Sequence, residues 1–299
     1  MGKGIAQVFA VKTDLSITLY DNHASDVLSD IEKDMKLLSS KGVLPEEDVE
    51  KRMSRIAFTD SMDDSCFGTA DMVVECVFED MQIKQNLFCE LEKICPPDCI
   101  FATNTSVMSP TEISEKLDCK QRFVGTHFWN PAHLIPLVEV VKSEHTSEET
   151  ADTVMKLLLE CGKKAVLCQK DVPGFIANRL QHALWREAFY MVQEGIADPK
   201  TVDDACKYGP GLRWPVVGPM ENSDMVGIPL TLNIHNYLLS HLADNHEPSP
   251  LLEQMLEEGH TGFGSGQGWQ SWNEEEIKKS VSGLREYLID YNSEKQKGE

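Results

Sequence analysis

The stretch MGKGIAQVFAVKTDLSITLYD, residues 1–21, decides the fold. Gly2 and Gly4 precede an apolar helix, residues 16–20 read as a strand, and Asp21 follows that strand. A dinucleotide-binding unit has this order: a glycine-rich turn, a helix whose N-terminus meets the pyrophosphate, a strand, and an acid that binds the ribose. No Arg directly follows Asp21, which favours NAD over NADP. The alternative is that Gly2 and Gly4 are ordinary helix-end glycines.

Strands and helices alternate through the first half of the chain. Short apolar runs predict further buried strands at 56–60, 70–77, 99–105, 123–128, 136–142 and 164–170. Amphipathic or capped segments predict helices at 24–41, 81–95 and 147–162. Helical periods then dominate, at 174–195, 199–208, 223–242, 250–259 and 273–293. We expect a doubly wound, largely parallel α/β domain over 1–171 and an α-helical domain over 172–299.

The composition is that of a globular protein with a strong excess of acidic residues. A formal net charge of −21 argues against binding to nucleic acid or to an anionic membrane surface. No run of about 18 apolar residues and no secretory signal pattern is visible. The nine cysteines include no Cys-x-x-Cys pair. We therefore expect free thiols, a cytoplasmic protein without a metal site, and a small-molecule substrate.

One histidine and one glutamate suit acid–base chemistry. His127 ends the strand-like run FVGTH, and Glu139 lies among apolar residues in the next predicted strand. A buried acid is unfavourable unless it is paired, and a carboxylate that holds an imidazole ring fixes its tautomer and raises its basicity. We expect a His127–Glu139 pair that could act as a general base. The alternatives are a satisfied loop histidine and an edge-strand glutamate.

Polar residues follow the predicted strand at 99–105. Asn104 and Ser106 lie where the carboxyl end of a parallel strand meets a ligand. Ser106 could instead cap the next helix, although Ser109 is better placed for that role.

Four motifs resemble one known family in their order and spacing. They are ATNTSVMSPTEIS (102–114), RFVGTHFWNPAHLIPLVEVV (122–141), KDVPGFIANR (170–179) and GPMENSDMVG (218–227). The chain resembles the 3-hydroxyacyl-CoA dehydrogenase family from Met1 to about Trp272. The resemblance implies a Rossmann-like domain, a helical domain that closes the cleft and forms a homodimer, and NAD-dependent oxidation of a 3-hydroxyacyl-CoA such as 3-hydroxybutyryl-CoA.

The resemblance also implies roles for individual residues. The catalytic positions would be His127, Glu139, Ser106, Asn130 and Asn178. The cofactor would be held by Gly2, Asp21, Glu79, Lys84, Asn104 and Ser106. The substrate would be held by Lys41, Ser106 and Asn178. Lys84 could otherwise be a solvated helix residue.

The family fingerprint is matched in its last part only, by MGKGIA. We therefore expect the first strand of the sheet and the first two fingerprint glycines to be missing from this sequence. NAD affinity and stability should then be lower than with that strand restored, because the neighbouring strands lose a hydrogen-bonding partner.

Two departures from the family pattern bear on the substrate. The loop at 262–268 lacks the lysine that many members carry there, and Asp34 falls near a serine position that the family uses, with a lysine, to hold the CoA phosphates. Lys41 could supply the cation, within the basic cluster Lys36, Lys41, Lys51, Arg52 and Arg55. That cluster could equally be a solvated helix face.

Two other functions therefore stay open. One is an NAD-dependent dehydrogenase of a small hydroxy acid without CoA, of the hydroxymethylpyridine carboxylate, gulonate or carnitine type, for which Arg213 and Trp214 would suit a carboxylate. The other is a non-catalytic, crystallin-like protein. The intact set of five catalytic positions argues against the latter.

Overall fold

A computed structural model describes residues 1–12, 14–23 and 26–298 of the chain, with side chains up to residue 293. Two compact units are distinguished. The first contains Met1–Arg179 and Leu284–Glu299, and the second contains Leu180–Gly283. The last helix of the chain thus returns to the first unit.

The first unit contains seven strands in the described residues. They are β1 (Ile17–Tyr20), β2 (Ile56–Thr59), β3 (Met72–Glu75), β4 (Ile100–Thr103), β5 (Phe123–Phe128), β6 (Leu137–Lys142) and β7 (Lys164–Cys168). All neighbouring pairs are parallel except β5 and β6, which are antiparallel. The parallel-dominant α/β fold expected from the sequence is confirmed.

The strands form two sheets rather than the single sheet expected. One contains β1 and β2, and the other has the order β3-β4-β5-β6-β7. Within residues 1–12, 14–23 and 26–298, no strand pairs with both β1 and β3. The antiparallel β5–β6 pair has a simple cause: the connection at 129–136 is shorter than the dozen or more residues that a parallel crossover needs.

The helices of the first unit cover these sheets. They are α1 (Gly2–Phe9), α2 (Val27–Ser40), α3 (Glu46–Met53), α4 (Met81–Ile94), α5 (Pro110–Ile113) and α6 (Glu148–Glu160). Helix α1 packs on both sides: Ile5, Val8 and Phe9 belong to the core of the five-stranded sheet, and Ala6 and Ala10 to the core beside α2. It therefore links the two sheets.

The second unit is helical. Its helices are α7 (Ala177–Gln193), which starts in the first unit, α8 (Pro199–Tyr208), α9 (Pro210–Arg213), α10 (Pro219–Val226), α11 (Ile228–Leu238) and α12 (Pro250–Glu257). Helix α13 (Glu274–Gly298) then leads back. The single helix predicted over 223–242 is wrong: Gly227, with φ of 99°, separates α10 from α11. In the described part of the chain, no helix has the length and apolarity to cross a membrane.

Candidate active site

The β5–β6 register places His127 directly opposite Glu139. Their side chains meet, with 2.8 Å between His127 Nδ1 and Glu139 Oε2, and both are buried. The strands approach closely because residue 125 is glycine: a Cβ there would lie 2.9 Å from the Cβ of Val141. A side chain at Gly125 would thus push apart the strands that carry the pair.

Glu139 is held on both carboxylate oxygens. Oε1 accepts the backbone N–H groups of Ile176 and Ala177, each at 2.9 Å, and Oε2 also accepts the indole N–H of Trp129 at 3.3 Å. Burial alone would raise the pKa of Glu139, but the hydrogen bonds from His127, the two backbone groups and Trp129 outweigh it and lower that pKa. Glu139 is therefore an ionised acceptor, His127 Nδ1 carries the proton, and Nε2 is left as the basic atom.

A strained turn brings those two N–H groups to Glu139. Phe175 has a φ of 50°, a conformation that costs a non-glycine residue about 1–2 kcal/mol, and its N–H donates to the carbonyl of Val172 at 3.0 Å. The Phe175 ring is buried 5.7 Å from the His127 ring, and the Trp129 ring lies at the same distance. The two aromatic side chains fix the position of the imidazole. The sequence analysis did not identify Trp129, Phe175 or the backbone donors. The Pro-Gly pair before Phe175 was the one sequence signal for the turn that positions those donors.

The loop after β4 brings together several predicted residues. The Ser106 N–H donates to Glu79 Oε1 at 2.9 Å, and the Ser106 carbonyl accepts from Asn178 Nδ2 at 3.0 Å. Asn104 accepts the N–H of Phe128 at 2.9 Å, which ties the ends of β4 and β5 together. The Ser106 side chain itself is exposed. Ser109, rather than Ser106, caps α5, as expected.

Asn130 lies in the β5–β6 connection. Like Ser106 it is exposed, and its side chain forms no hydrogen bond to another described residue.

A buried ion network lies beneath the loop. Lys84 is only 1% exposed and its ammonium lies 2.8 Å from Glu75 Oε1 and 3.2 Å from Glu79 Oε2. Glu75 also accepts from Thr103 at 2.7 Å. The alternative of a solvated Lys84 is therefore wrong. Sequence reasoning missed Glu75, although an acid at the end of the apolar run MVVE was the same signal that identified Glu139.

Glu79 connects this network to the loop. Burial raises its pKa, but bonds from Thr105 and the Ser106 N–H, and the charge of Lys84, together lower it. A charged Glu79 thus fixes the backbone of Ser106 through Thr105 and the loop N–H.

Two of the predicted cofactor residues, Gly2 and Asp21, are accessible, whereas Lys84 is buried against two carboxylates. No described side chain caps the N-terminus of α1, so its first N–H groups, at Gly2, are open to a phosphate. Asp21 is exposed at the end of β1, where one carboxylate oxygen accepts the N–H of His23 at 2.9 Å. The other oxygen has no hydrogen-bond partner among the described residues, so it could accept from a ribose hydroxyl. A Cβ at Gly4 would lie 3.1 Å from the Cβ of Ala132, so this glycine allows close packing of α1.

Three residues of the predicted basic cluster already have partners within the chain. Lys36 pairs with Glu32 at 2.6 Å, and Lys51 pairs with Asp48 at 3.4 Å. Arg55 donates to backbone carbonyls in the segment after α1. Each of these cations thus has a local partner.

Lys41 and Asp34 differ in whether they form an ion pair. Lys41 is exposed at the end of α2 and forms no ion pair with another described residue. Asp34 pairs at 2.8 Å with Arg285 of α13. Asn292 of the same helix donates to the carbonyl of Leu134 at 2.8 Å. Helix α13 therefore contacts α2 through an ion pair, at the position where the resemblance would place a CoA phosphate.

No described group of three or more His, Cys, Asp or Glu side chains is arranged to hold a metal ion. The buried Glu139 carboxylate orients the His127 imidazole, an arrangement that suits proton transfer.

Comparisons with known proteins agree along most of the chain. The family model for the NAD-binding domain of 3-hydroxyacyl-CoA dehydrogenase matches residues 1–172, and the model for the C-terminal domain of that family matches residues 174–272. A probable 3-hydroxybutyryl-CoA dehydrogenase of Bacillus subtilis is 36% identical over 92% of this chain and 94% of its own length.

Solved structures add a second kind of relative. The crystal structure of 5-formyl-3-hydroxy-2-methylpyridine 4-carboxylic acid 5-dehydrogenase, an NAD⁺-dependent dismutase, matches with a TM-score of 0.87 and 29% identity, over 97% of this chain and 94% of that one. The (S)-3-hydroxybutyryl-CoA dehydrogenase of Ralstonia eutropha matches with a TM-score of 0.76 and 28% identity, over 92% and 96%.

Proposed function

This chain belongs to the 3-hydroxyacyl-CoA dehydrogenase family of NAD-dependent oxidoreductases that act on CH–OH groups, and we propose that it oxidises a hydroxyl to a carbonyl with His127 as the general base. The observation that carries this proposal is the buried contact of 2.8 Å between His127 and Glu139. An imidazole held in this way presents Nε2 to a substrate hydroxyl.

The reaction divides its proton and its hydride between two acceptors. The hydroxyl proton moves to His127 Nε2, and the carbon–oxygen bond becomes a double bond. NAD, when bound, would supply the acceptor for the hydride that leaves the same carbon. Glu139 stabilises the imidazolium that forms, because its charge lies against the ring and its other contacts fix it there.

Neighbouring residues orient the reactants. The exposed Ser106 hydroxyl binds the substrate oxygen, and Asn178, which already contacts the Ser106 carbonyl, keeps this loop near the substrate. Asn104 and Asn130 would complete the site beside the nicotinamide. Gly2 and Asp21 would hold the pyrophosphate and the adenosine ribose, while the Glu79–Lys84 pair supports the loop from the cofactor side.

For the substrate, the geometry favours a small hydroxy acid without CoA. Asp34 is already paired with Arg285 of α13, so a CoA phosphate at this position would have to displace that ion pair. The structural match to a pyridine carboxylate dehydrogenase supports the same substrate class.

A 3-hydroxyacyl-CoA is the second candidate. Its support is the 36% identity to a probable 3-hydroxybutyryl-CoA dehydrogenase over almost the full length of both chains, together with the exposed Lys41.

NADH formation with matched substrates separates the two candidates. We expect free hydroxy acids, including 3-hydroxybutyrate, carnitine and a hydroxymethylpyridine carboxylate, to give at least one kcat/KM above that of 3-hydroxybutyryl-CoA. The Lys41→Glu variant should then leave KM unchanged, as should the control Lys93→Glu on α4. A higher kcat/KM for the thioester, with a raised KM in Lys41→Glu alone, would establish the CoA substrate. If none of these hydroxy compounds led to reduction of NAD, the assignment of dehydrogenase activity would be refuted.

Cofactor choice provides a separate test. Asp21 should accept hydrogen bonds from the ribose 2′-hydroxyl and repel a 2′-phosphate, so NAD should be preferred to NADP. Asp21→Ser should narrow that preference in kcat/KM, whereas Asp14→Ser, an exposed acid before β1, should not. Equal use of both cofactors by the parent would contradict the assignment.

We further propose a homodimer in the cytoplasm. The dimer is supported by α7 to α12, which have no buried residue in the single chain although they carry many large apolar side chains. The cytoplasm is supported by the nine cysteines, all of them free.

A further inference from the structure

The connection between β5 and β6, residues 129–136, carries two groups of the candidate active site at its start. The indole N–H of Trp129 donates to Glu139 at 3.3 Å, and the Trp129 ring lies beside that of His127. Asn130 follows directly. The position of these groups therefore depends on how the backbone of the connection is held.

The same connection packs against the first turn of α1. The side chain of Ala132 is buried in the core that contains Ile5 and Val8, and a Cβ at Gly4 would lie 3.1 Å from the Cβ of Ala132. The N–H groups at the start of α1, at Gly2, are the ones that we expect to meet the pyrophosphate. A displacement of Ala132 would therefore also displace these N–H groups.

One buried lysine holds this connection in place. Lys163 is only 8% exposed, and its ammonium donates to the carbonyls of Ala132 and Ile135, at 2.5 and 2.9 Å. The carbonyl of Pro131 accepts the N–H groups of Leu134 and Ile135, each at 3.0 Å, which closes the turn between the two anchored carbonyls. No backbone N–H of the described residues donates to either anchored carbonyl. The ammonium thus fixes a turn that the backbone alone leaves incompletely bonded.

Stability alone does not explain a lysine at this position. Burial lowers the pKa of Lys163 to about 8, so its charge is retained at neutral pH although its surroundings oppose it. No carboxylate of the described residues forms an ion pair with it. A methionine is of similar length and would bury no charge. What the ammonium adds is a pair of N–H donors that hold two carbonyls of one turn.

We propose that Lys163 is a positioning residue for the dehydrogenase reaction. By holding the turn at residues 131–135, it keeps Trp129 against Glu139 and keeps the first turn of α1 in place for the pyrophosphate. One ammonium thus aligns the base with the cofactor, although it contacts neither. This role rests on the proposed function, because it requires that NAD and a hydroxyl meet at His127.

Lys163→Met tests this role in the full chain. NAD titration should give a Kd at least about fivefold above that of the parent, and kcat should fall about 10–100-fold, since a small misplacement of reacting groups can have an effect of this size. Lys164→Met is the matched control. Lys164 is exposed and bonds to the carbonyl of Pro136 through its backbone N–H, so its variant should keep the parent Kd and kcat.

Leu117→Ala separates positioning from general destabilisation. Leu117 is buried in a core that contains no residue of α1 or of the connection at 129–136. Its loss should lower Tm but leave Kd for NAD and kcat unchanged at temperatures where the protein is folded. If Lys163→Met also lowered Tm and left Kd and kcat like those of the parent, Lys163 would be a structural residue and the proposal would be overturned.

Chemical rescue provides an independent test. Lys163→Ala removes a group of the size of propylammonium, and residue 163 lines a cavity of about 220 Å³, which is large enough for a small amine. Propylammonium should raise the kcat of Lys163→Ala at least about fivefold, because it restores the N–H donors. Tetramethylammonium has the same charge but no N–H donor, and it should leave kcat unchanged.

Equal effects of the two cations, or no effect of propylammonium, would overturn the role of the ammonium. Failure of both Lys163→Met and Lys163→Ala to fold would make Lys163 a structural residue and would overturn it as well. Failure of the proposed function is distinguishable, because it would appear in the parent as an absence of NAD reduction. Failure of the positioning role would appear only in the variants.

Discussion

The two units of this chain bury their apolar side chains very differently. In the first unit, Phe101, Phe123 and Val138 are completely buried in the five-stranded sheet. In the second, Tyr208, Val216 and Met220 are each more than three-quarters exposed, and the helices from α8 to α12 contain no buried residue. A unit with its own core can hold reacting groups rigidly, whereas a unit without one has apolar surface to bury elsewhere.

This difference indicates which unit positions the reacting groups. His127, Glu139 and the donors at Ile176 and Ala177 all belong to the first unit, so their geometry needs no contribution from the helices beyond it. The second unit supplies apolar surface. Changes in the first unit should therefore alter turnover or folding, and changes in the second should alter assembly.

The largest effect should come from His127→Gln. Removing the general base should lower kcat by about 10²–10⁴ while the Kd for NAD stays near that of the parent, because the ring contacts the substrate hydroxyl rather than the dinucleotide. Steady-state kinetics and NAD titration measure the two quantities. His145→Gln, an exposed histidine of the same unit, serves as the control. Parent-like kcat in His127→Gln would remove the base from the mechanism.

The next effect concerns the buried ion network. Lys84→Met should lower the free energy of unfolding by about 3–5 kcal/mol, because Glu75 would be left buried without its cation. Denaturant unfolding measures this change. Lys93→Met, at an exposed position of the same helix, should change stability by no more than about 0.5 kcal/mol. Similar losses in both variants would show that the pair does not stabilise the loop.

Assembly should respond to the second unit only. Helix α11 exposes Ile228, Leu230, Leu232 and Tyr237 on more than one side, a pattern typical of a helix that is buried in an assembly. Leu230→Glu should weaken self-association at least about tenfold, since a buried unpaired charge is strongly unfavourable. Analytical ultracentrifugation measures the self-association of the variant and of the parent.

Leu159→Glu is the matched control, because Leu159 is an equally exposed leucine on α6 of the first unit. Its self-association should be unchanged. Dissociation of the control, or a fully associated Leu230→Glu protein, would reverse the roles assigned to the two units.

The sequence was sufficient to predict the parts of the site that depend on local patterns. The apolar runs around His127 and Glu139 predicted buried strands, and an acid inside such a run predicted its own pairing. The same logic applied to Glu75 would have indicated a buried partner, but not that the partner is Lys84, since that choice depends on how α4 packs against the sheet.

Contacts between distant segments could not be predicted. Asp34 and Arg285 are 251 residues apart, and nothing local indicates that α13 returns to α2. The positive φ of Phe175 is similar: the Pro-Gly sequence indicates a turn, while the strained residue is fixed by its buried ring beside His127. The substrate class that we propose rests in part on the first of these contacts, so local sequence patterns left that class open.

The smallest effect should appear in the acid dependence of stability. The pKa of Glu139 in the folded protein lies below its ordinary value of 4.5, although burial opposes this, because His127, two backbone groups and Trp129 bond to the charged form. A lowered folded pKa means that this stabilisation is complete above pH 4.5 and is lost as the pH falls through the folded pKa. Over that window Glu139 should contribute a slope of at most about 1.4 kcal/mol per pH unit.

Glu139→Gln should therefore be less stable than the parent at neutral pH and should show a shallower loss of stability below pH 4.5, because the amide takes up no proton. Urea unfolding at a series of pH values measures both. Glu90→Gln, an exposed acid on α4, should keep the parent slope. Equal slopes in Glu139→Gln and the parent would mean that Glu139 has the same pKa folded and unfolded. The hydrogen bonds of Glu139 would then not explain why it is ionised beside His127. The assignment of His127 as a preorganised base in the first unit would be contradicted.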